Sequence, residues 1–352
     1  MTEPSIAIAG RTIDLDSPPL VVAEMSANHL GDLSRALKII DAAKHAGADA
    51  VKLQTYRPDT ITHRSASRPL TEGPWAGRSL YELYEEAHTP WEWHADLFAY
   101  GRKAGITMFS SPFDETAIEL LEGLGCPAYK IASFELVDTP LIRTAAGTGK
   151  PLIISTGMGT WEEIDAAVVA ARDAGATNLV LMHAVSAYPT PIEQAALATL
   201  PVLAKRHGTI VGLSDHTLGI TAPVVAIALG ARVIEKHLTL KREDGGPDAG
   251  FSLEPQEFAA MVAAAGEAFR SLGAPRSGTS AGEETNRKLR RSLHARRDLP
   301  QGTVIGHDDV VSLRPADGIP PSFLDTVVGR RTSADIPAGT AVRWELLDIL
   351  ET

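Results

Sequence analysis

One cysteine in 352 residues, Cys126, rules out a disulfide within the chain, and a reducing cytoplasm is the expected compartment. Long apolar runs are missing as well. The most apolar stretch, residues 222–231, falls far short of the ~20 residues that span a bilayer. Residues 1–10 lack the charged-then-apolar order of a secretory leader, so a cytosolic protein with no membrane partner is expected. Positive charge is in deficit, with 33 Lys and Arg against 44 Asp and Glu, a net charge of −11 and a pI near 5.5. That balance argues against nucleic acid and acidic lipid surfaces as partners, so an anionic substrate has to be captured by a local cluster of cations. No Gly-x-Gly-x-x-Gly follows the first strand-like run, which removes the main argument for a dinucleotide-binding sheet.

What is present is a cadence. Apolar runs at residues 21–24, 50–54, 108–111, 128–135, 152–155, 179–183, 210–216 and 233–237 end in polar side chains. A buried parallel strand reads as nearly continuous hydrophobic sequence, so polar groups collected at the carboxyl ends mark a site. Helical patterns alternate with these runs over 33–46, 91–104, 115–124, 139–147, 161–174, 191–207, 217–229 and 255–272, several closing on a C-cap glycine at Gly47, Gly105, Gly175 or Gly230. The alternation predicts an α/β chain closed as a (β/α)8 TIM barrel over residues 1–272, with a hairpin at 5–15 closing its bottom. The connection 56–89 contains Pro58, Pro69, Gly73, Pro74 and Gly77 and a helical pattern at 80–86; on the catalytic side of a barrel it is expected to cover substrate. Residues 273–290 read as an exposed linker, and 291–352 as a small, mostly β domain in which Asp298-Leu299-Pro300-Gln301-Gly302 recurs as Asp335-Ile336-Pro337-Ala338-Gly339.

Sorted by chemistry, the strand ends divide. Lys52, Lys130, Ser111, Ser133, Ser155 and Ser214 place cations and hydroxyls on one rim, an inventory that suits phosphate better than carbohydrate, although each serine alone also reads as a strand-end cap. Lys236, between Glu235 and His237, reads as a site cation or as a structural ion-pair partner. His216 and His237 end consecutive strands, which lie about 4.8 Å apart in a sheet, so both imidazoles can reach one divalent ion: Mn²⁺, Fe²⁺ or Zn²⁺ with open positions for Lewis-acid work. Glu24 and Glu135 come from the first and fourth strands, one able to orient hydroxyls and the other to handle a proton. Asp248, after Gly245-Gly246-Pro247, is a sugar-hydroxyl ligand or a turn residue. A strand lysine can also form a Schiff base with a keto acid, as aldolases do, and a non-catalytic carbohydrate sensor is a further alternative.

The ordered segments Ala23-Glu24-Met25-Ser26-Ala27-Asn28-His29, residues 47–56, Tyr129-Lys130-Ile131-Ala132-Ser133-Phe134-Glu135, Ser155-Thr156-Gly157-Met158, residues 212–219, Glu235-Lys236-His237 and Gly246-Pro247-Asp248 resemble the sialic acid synthase family over nearly the whole chain. Those enzymes condense phosphoenolpyruvate with an N-acetylated amino sugar, and the tail from Arg291 resembles their antifreeze-like (SAF) domain. The resemblance implies that Lys52, Ser111, Lys130, Ser133, Ser155 and Ser214 hold phosphoenolpyruvate, with Lys130 also catalytic, and that His216 and His237 bind a divalent metal, Mn²⁺ with Mg²⁺ or Co²⁺ as alternatives. It further implies that Glu24, Gln54, Ser186, Tyr188 and Asp248 face the sugar and that Glu135 and Glu24 serve catalysis. Arg314 would reach the partner's sugar across a domain-swapped homodimer. Ala27-Asn28-His29, Ser186-Ala187-Tyr188-Pro189 and the run 245–252 resemble the pseudaminic acid branch, whose sugar is 2,4-diacetamido-2,4,6-trideoxy-L-altrose. N-acetylneuraminate or legionaminate synthesis from N-acetylmannosamine or a 2,4-diacetamido mannose analogue is the alternative within the family.

Overall fold

The structure is a computed structural model that describes residues 4–65, 68–73 and 75–348; Pro74, expected among the breakers of the long connection, and the last residues of the tail lie outside it. The described chain divides into two compact units, Met1–Gly273 and Ala274–Thr352.

In the first unit a closed parallel barrel forms in chain order from β3 to β10, preceded by the hairpin of β1 (Ile6–Ile8) and β2 (Arg11–Ile13). The barrel strands are β3 (Leu20–Glu24), β4 (Ala50–Thr55), β5 (Thr107–Pro112), β6 (Tyr129–Ile131), β7 (Leu152–Ser155), β8 (Leu179–Ala184), β9 (Ile210–Asp215) and β10 (Val233–His237), β10 closing on β3. Their apolar residues, among them Val22, Val51, Phe109, Ile154, Leu181 and Ile234, are wholly buried and form one core with the inner faces of the helices. Helix starts are set by side-chain caps: Asp32, Asp114 and Asp138 accept backbone N–H groups of Ser34, Ala117 and Leu141, and Thr160 with Glu163 makes a capping box. The expected C-cap glycines Gly47, Gly105, Gly175 and Gly230 all have left-handed backbone. Among the described residues no helix is long and apolar enough to cross a membrane.

Three expected elements differ. The run 128–135 is a strand only through Ile131; Ser133–Glu135 is a 3-10 turn, with Glu135 N–H donating to Ala132 O. The helical pattern 191–207 is broken into a 3-10 turn at Ile192–Gln194 and a helix at Thr199–His207, because Ala196 takes left-handed backbone (φ 46°) between them. The pattern 217–229 starts late, at Thr221, since Thr217 N–H is taken by the Asp215 carboxylate and Thr217 O by Lys236.

In the second unit β11 (Ser292–Ala295) pairs with β12 (Val310–Leu313) around a core that includes Leu293, Leu299, Val310, Ile336 and Val342. The repeated turns pair with each other. Leu299 and Ile336 exchange backbone hydrogen bonds, Asp335 accepts from Gln301 N–H at 2.7 Å and Asp298 accepts from Ala338 N–H at 2.8 Å. Each copy of the motif thus caps the turn of the other.

Candidate active site at the carboxyl ends of the barrel strands

The parallel register brings Glu24, at the end of β3, beside Lys52 on β4 and His237 on β10, while Glu235 pairs with Ser214. Lys52 Nζ stands 2.5 Å from Glu24 Oε2 and 3.7 Å from Glu235 Oε1, and donates to Ser111 Oγ at 3.1 Å. Lys130 Nζ approaches the same Glu235 oxygen at 3.5 Å, and Ser214 Oγ donates to it at 3.1 Å. All these side chains are buried. Burial pushes the Glu24 carboxyl up to about 7, against the pull of Lys52, so near neutrality both of its protonation states are populated. Burial alone would lower the Lys52 pKa, but Glu235 and Glu24 outweigh it and hold the ammonium charged; for Lys130 burial prevails and the pKa is lowered.

Lys52, Lys130, Ser111 and Ser214 are therefore brought into one buried cluster, arranged around a carboxylate not singled out from the sequence. Glu235 could have been found by strand periodicity: in Glu235-Lys236-His237 the outer two share a face and the middle residue faces away. Lys236 indeed turns from the cluster, fully buried against Asp215 at 2.5 Å, which makes it a structural ion pair. Ser155 Oγ is buried without a hydrogen-bond partner.

The imidazoles of His216 and His237 have ring centroids 5.6 Å apart. A hydrogen bond at 2.9 Å between His216 Nδ1 and Val185 O leaves Nε2 as its free nitrogen, and His237 Nδ1 is buried with no partner. Burial lowers both pKa values, that of His237 well below the ordinary range with help from His216, so both rings are neutral. Neutral, paired and partly unsatisfied imidazoles fit a divalent cation. Among the described residues no set of three or more His, Cys, Asp or Glu side chains forms a metal cluster, so this pair would leave further coordination positions to water or substrate.

A second chain of contacts runs beside the histidines. Asp248 accepts from Ser26 Oγ and, at 3.3 Å, from Ala27 N–H, while Gln54 Nε2 donates to Ser26 Oγ at 3.0 Å. Asp248 is thus more than a turn residue: it is a buried carboxyl, its pKa raised by burial, joined to Gln54 through Ser26. Ser26 takes left-handed backbone (φ 43°), and nothing in the residue type announced it as a link. Asn28 and His29 next to it are supports, Asn28 Nδ2 donating to Leu238 O and Ser252 Oγ, and His29 packing edge-on to Trp93. Tyr188 packs on His216 at 4.5 Å and on Phe251 at 5.1 Å, and Phe251 lies 4.9 Å from His237.

Glu135 and Ser133 leave β6 and sit in the turn that follows it. Burial, with Asp138 adding repulsion, raises the Glu135 carboxyl to about 7, and its Oε2 is buried without a partner. Ser133 and Ser186 converge on Gly157: a Cβ there would lie 2.7 Å and 2.6 Å from their hydroxyls. Arg314 is exposed in the second unit, followed by a cis bond to Pro315. At the opposite end of the barrel strands, a cleft of about 290 Å³ around Ala9, Phe98, Arg102 and Thr107 is lined by no acid, histidine or lysine, so it lacks the groups this chemistry uses.

Residues 39–277 match the model of the NeuB family, and residues 290–348 match the SAF domain. A pseudaminic acid synthase of Campylobacter jejuni is 43% identical over 93% of this chain and 96% of its own length. An N,N'-diacetyllegionaminic acid synthase of Legionella pneumophila is 37% identical over 93% of this chain and 94% of its own. The crystal structure of an N-acetylneuraminic acid synthetase from Leptospira borgpetersenii superposes with a TM-score of 0.73 at 30% identity, covering 81% of this chain and 95% of that one. With a barrel closed in the expected order and a matching tail, the chain belongs to the NeuB family, the sialic acid synthases, and carries a SAF domain.

Proposed function

We propose that this protein is a pseudaminic acid synthase, which condenses phosphoenolpyruvate, 2,4-diacetamido-2,4,6-trideoxy-L-altrose and water into pseudaminate and phosphate. The observation that carries the chemistry is the approach of Lys52 and Lys130 to one oxygen of Glu235, at 3.7 and 3.5 Å, which sets two buried ammonium groups where a single anion can bridge them. The sugar is inferred from the greater identity to the Campylobacter pseudaminic acid synthase, 43%, than to the Legionella diacetyllegionaminic acid synthase, 37%.

In the reaction, Lys52, Lys130, Ser111, Ser133, Ser155 and Ser214 hold the phosphate and carboxylate of phosphoenolpyruvate. C3 of phosphoenolpyruvate attacks the aldehyde carbon of the open-chain sugar, the new bond taking the enol π electrons, and C2 becomes electrophilic. Glu24, near 7, supplies the proton to the forming hydroxyl. Water adds at C2 while Glu135, also near 7, accepts its proton, and the tetrahedral intermediate collapses to the C2 ketone by C–O cleavage, its hydroxyl proton leaving with the phosphate. The two lysines stabilise the departing anion. Gln54, Ser186, Tyr188 and Asp248 orient the sugar. His216 and His237 would hold a divalent ion, with Mn²⁺ the first choice and Mg²⁺ or Co²⁺ as alternatives; such an ion polarises an aldehyde. Lys52, held charged, is unsuited to a Schiff base.

A homodimer belongs to the same proposal, Arg314 completing the partner's sugar site. Phe134, Val137, Met158 and Leu218, in the loops after β6, β7 and β9, are each about 60% exposed and offer an apolar surface to a second copy. Cys126, buried and unpaired, accords with a reducing cytoplasm. Phosphoenolpyruvate carrying ¹⁸O in its C2–O–P bridge tests the bond cleaved: the label is expected in phosphate, and its retention in the sugar acid would overturn the mechanism.

A further inference from the structure

The barrel order places β4 and β8 four strands apart in a ring of eight, on opposite sides of the mouth. Trp75 belongs to the connection that leaves β4, yet its indole lies 5.5 Å from the ring of Tyr188, in the loop that leaves β8. Its Nε1–H donates at 2.9 Å to Pro247 O, the residue before Asp248, in the loop after β10. Trp75 therefore ties the connection after β4 to the loops that follow β8 and β10. Tyr84, in the helix Leu80–Ala87 of the same connection, packs edge-on to Tyr56 at 5.6 Å.

We infer that Trp75 is a positioning residue for the amino-sugar half of the site, holding the ring of Tyr188 and the loop that carries Asp248 in place for the substrate. The inference rests on the synthase assignment. Trp75 touches Tyr188 on its ring and the Asp248 loop through its N–H, and makes no hydrogen bond or ring contact with Lys52, Lys130, Ser111 or Ser214. Because both contacts act on the sugar only through Tyr188 and the Asp248 loop, their loss is expected to cost about tenfold in sugar affinity, ~1.4 kcal/mol.

The test compares wild type, Trp75→Ala and Trp75→Phe, each as full chain, by steady-state phosphate release with either substrate varied. Trp75→Ala is expected to raise the sugar KM about tenfold while the phosphoenolpyruvate KM stays within twofold. Trp75→Phe, which keeps a ring but loses the N–H, should fall between. Parallel rises in both KM values, or an unchanged sugar KM in Trp75→Ala, overturn the inference. Should Trp75→Ala fail to fold, Trp75→Phe decides: a sugar KM raised severalfold with the phosphoenolpyruvate KM within twofold supports the role, and wild-type values for both contradict it. Wild type that releases no phosphate with any amino sugar refutes the synthase assignment, whereas an active wild type with unaffected variants refutes only the role of Trp75.

Discussion

Lys52 Nζ stands 2.5 Å from Glu24 Oε2, and both side chains are buried at the carboxyl end of the barrel. Removing one partner strands the other charge in a low-dielectric interior. Lys52→Met is expected to destabilise the protein by about 3 kcal/mol, and the Lys52→Met, Glu24→Gln double variant by less than the sum of the Lys52→Met and Glu24→Gln changes. Thermal denaturation of the four proteins checks this, and strict additivity would contradict the pairing.

Glu135 has its carboxyl raised to about 7, chiefly by burial. As a base it works only when deprotonated, whereas Glu24 as the acid works only when protonated, so kcat/KM should be bell-shaped with a maximum near 7, Glu135 setting the rising limb. Its stability linkage has the opposite sense: the folded state binds this proton more tightly than the unfolded chain, so its contribution is complete below the ordinary carboxylate range and is lost as pH rises through about 7. Glu135→Gln should abolish the kinetic limb and lower activity about 10²–10⁴-fold. A pH profile unchanged in shape would remove Glu135 from proton transfer.

Gly157 has no room for a methyl group, since a Cβ would fall within 2.7 Å of the Ser133 and Ser186 hydroxyls. Gly157→Ala is expected to push these serines apart and lower kcat/KM at least tenfold with the far-ultraviolet circular dichroism unchanged. Full activity would show that their separation is uncritical.

In the second unit, Asp298→Ala should free the Ala338 amide and Asp335→Ala the Gln301 amide, each a loss of about 1 kcal/mol. Hydrogen exchange of the full-length protein reads both. Protection at Ala338 that survives Asp298→Ala would disprove the reciprocal capping.

The fold was legible because its signals were local and redundant: period, caps and C-cap glycines agreed from unit to unit. Where they failed, tertiary contacts had won, as at Thr217, whose backbone is claimed by Asp215 and Lys236 before a helix can start. The site was legible where chemistry sat on a strand end. Glu235 was overshadowed by its neighbours Lys236 and His237, though only the outer two face the site. Ser26 and Trp75 act through contacts with residues more than 160 positions away, Asp248 and Pro247, and no short-range pattern encodes such a pairing.

The most direct test is the rate of phosphate release from phosphoenolpyruvate with a panel of open-chain-competent amino sugars. The 6-deoxy 2,4-diacetamido altrose is expected to exceed N-acetylmannosamine and the 2,4-diacetamido mannose analogue by at least tenfold in kcat/KM, with mass spectrometry identifying pseudaminate as product. Equal or faster turnover of N-acetylmannosamine would contradict the assignment.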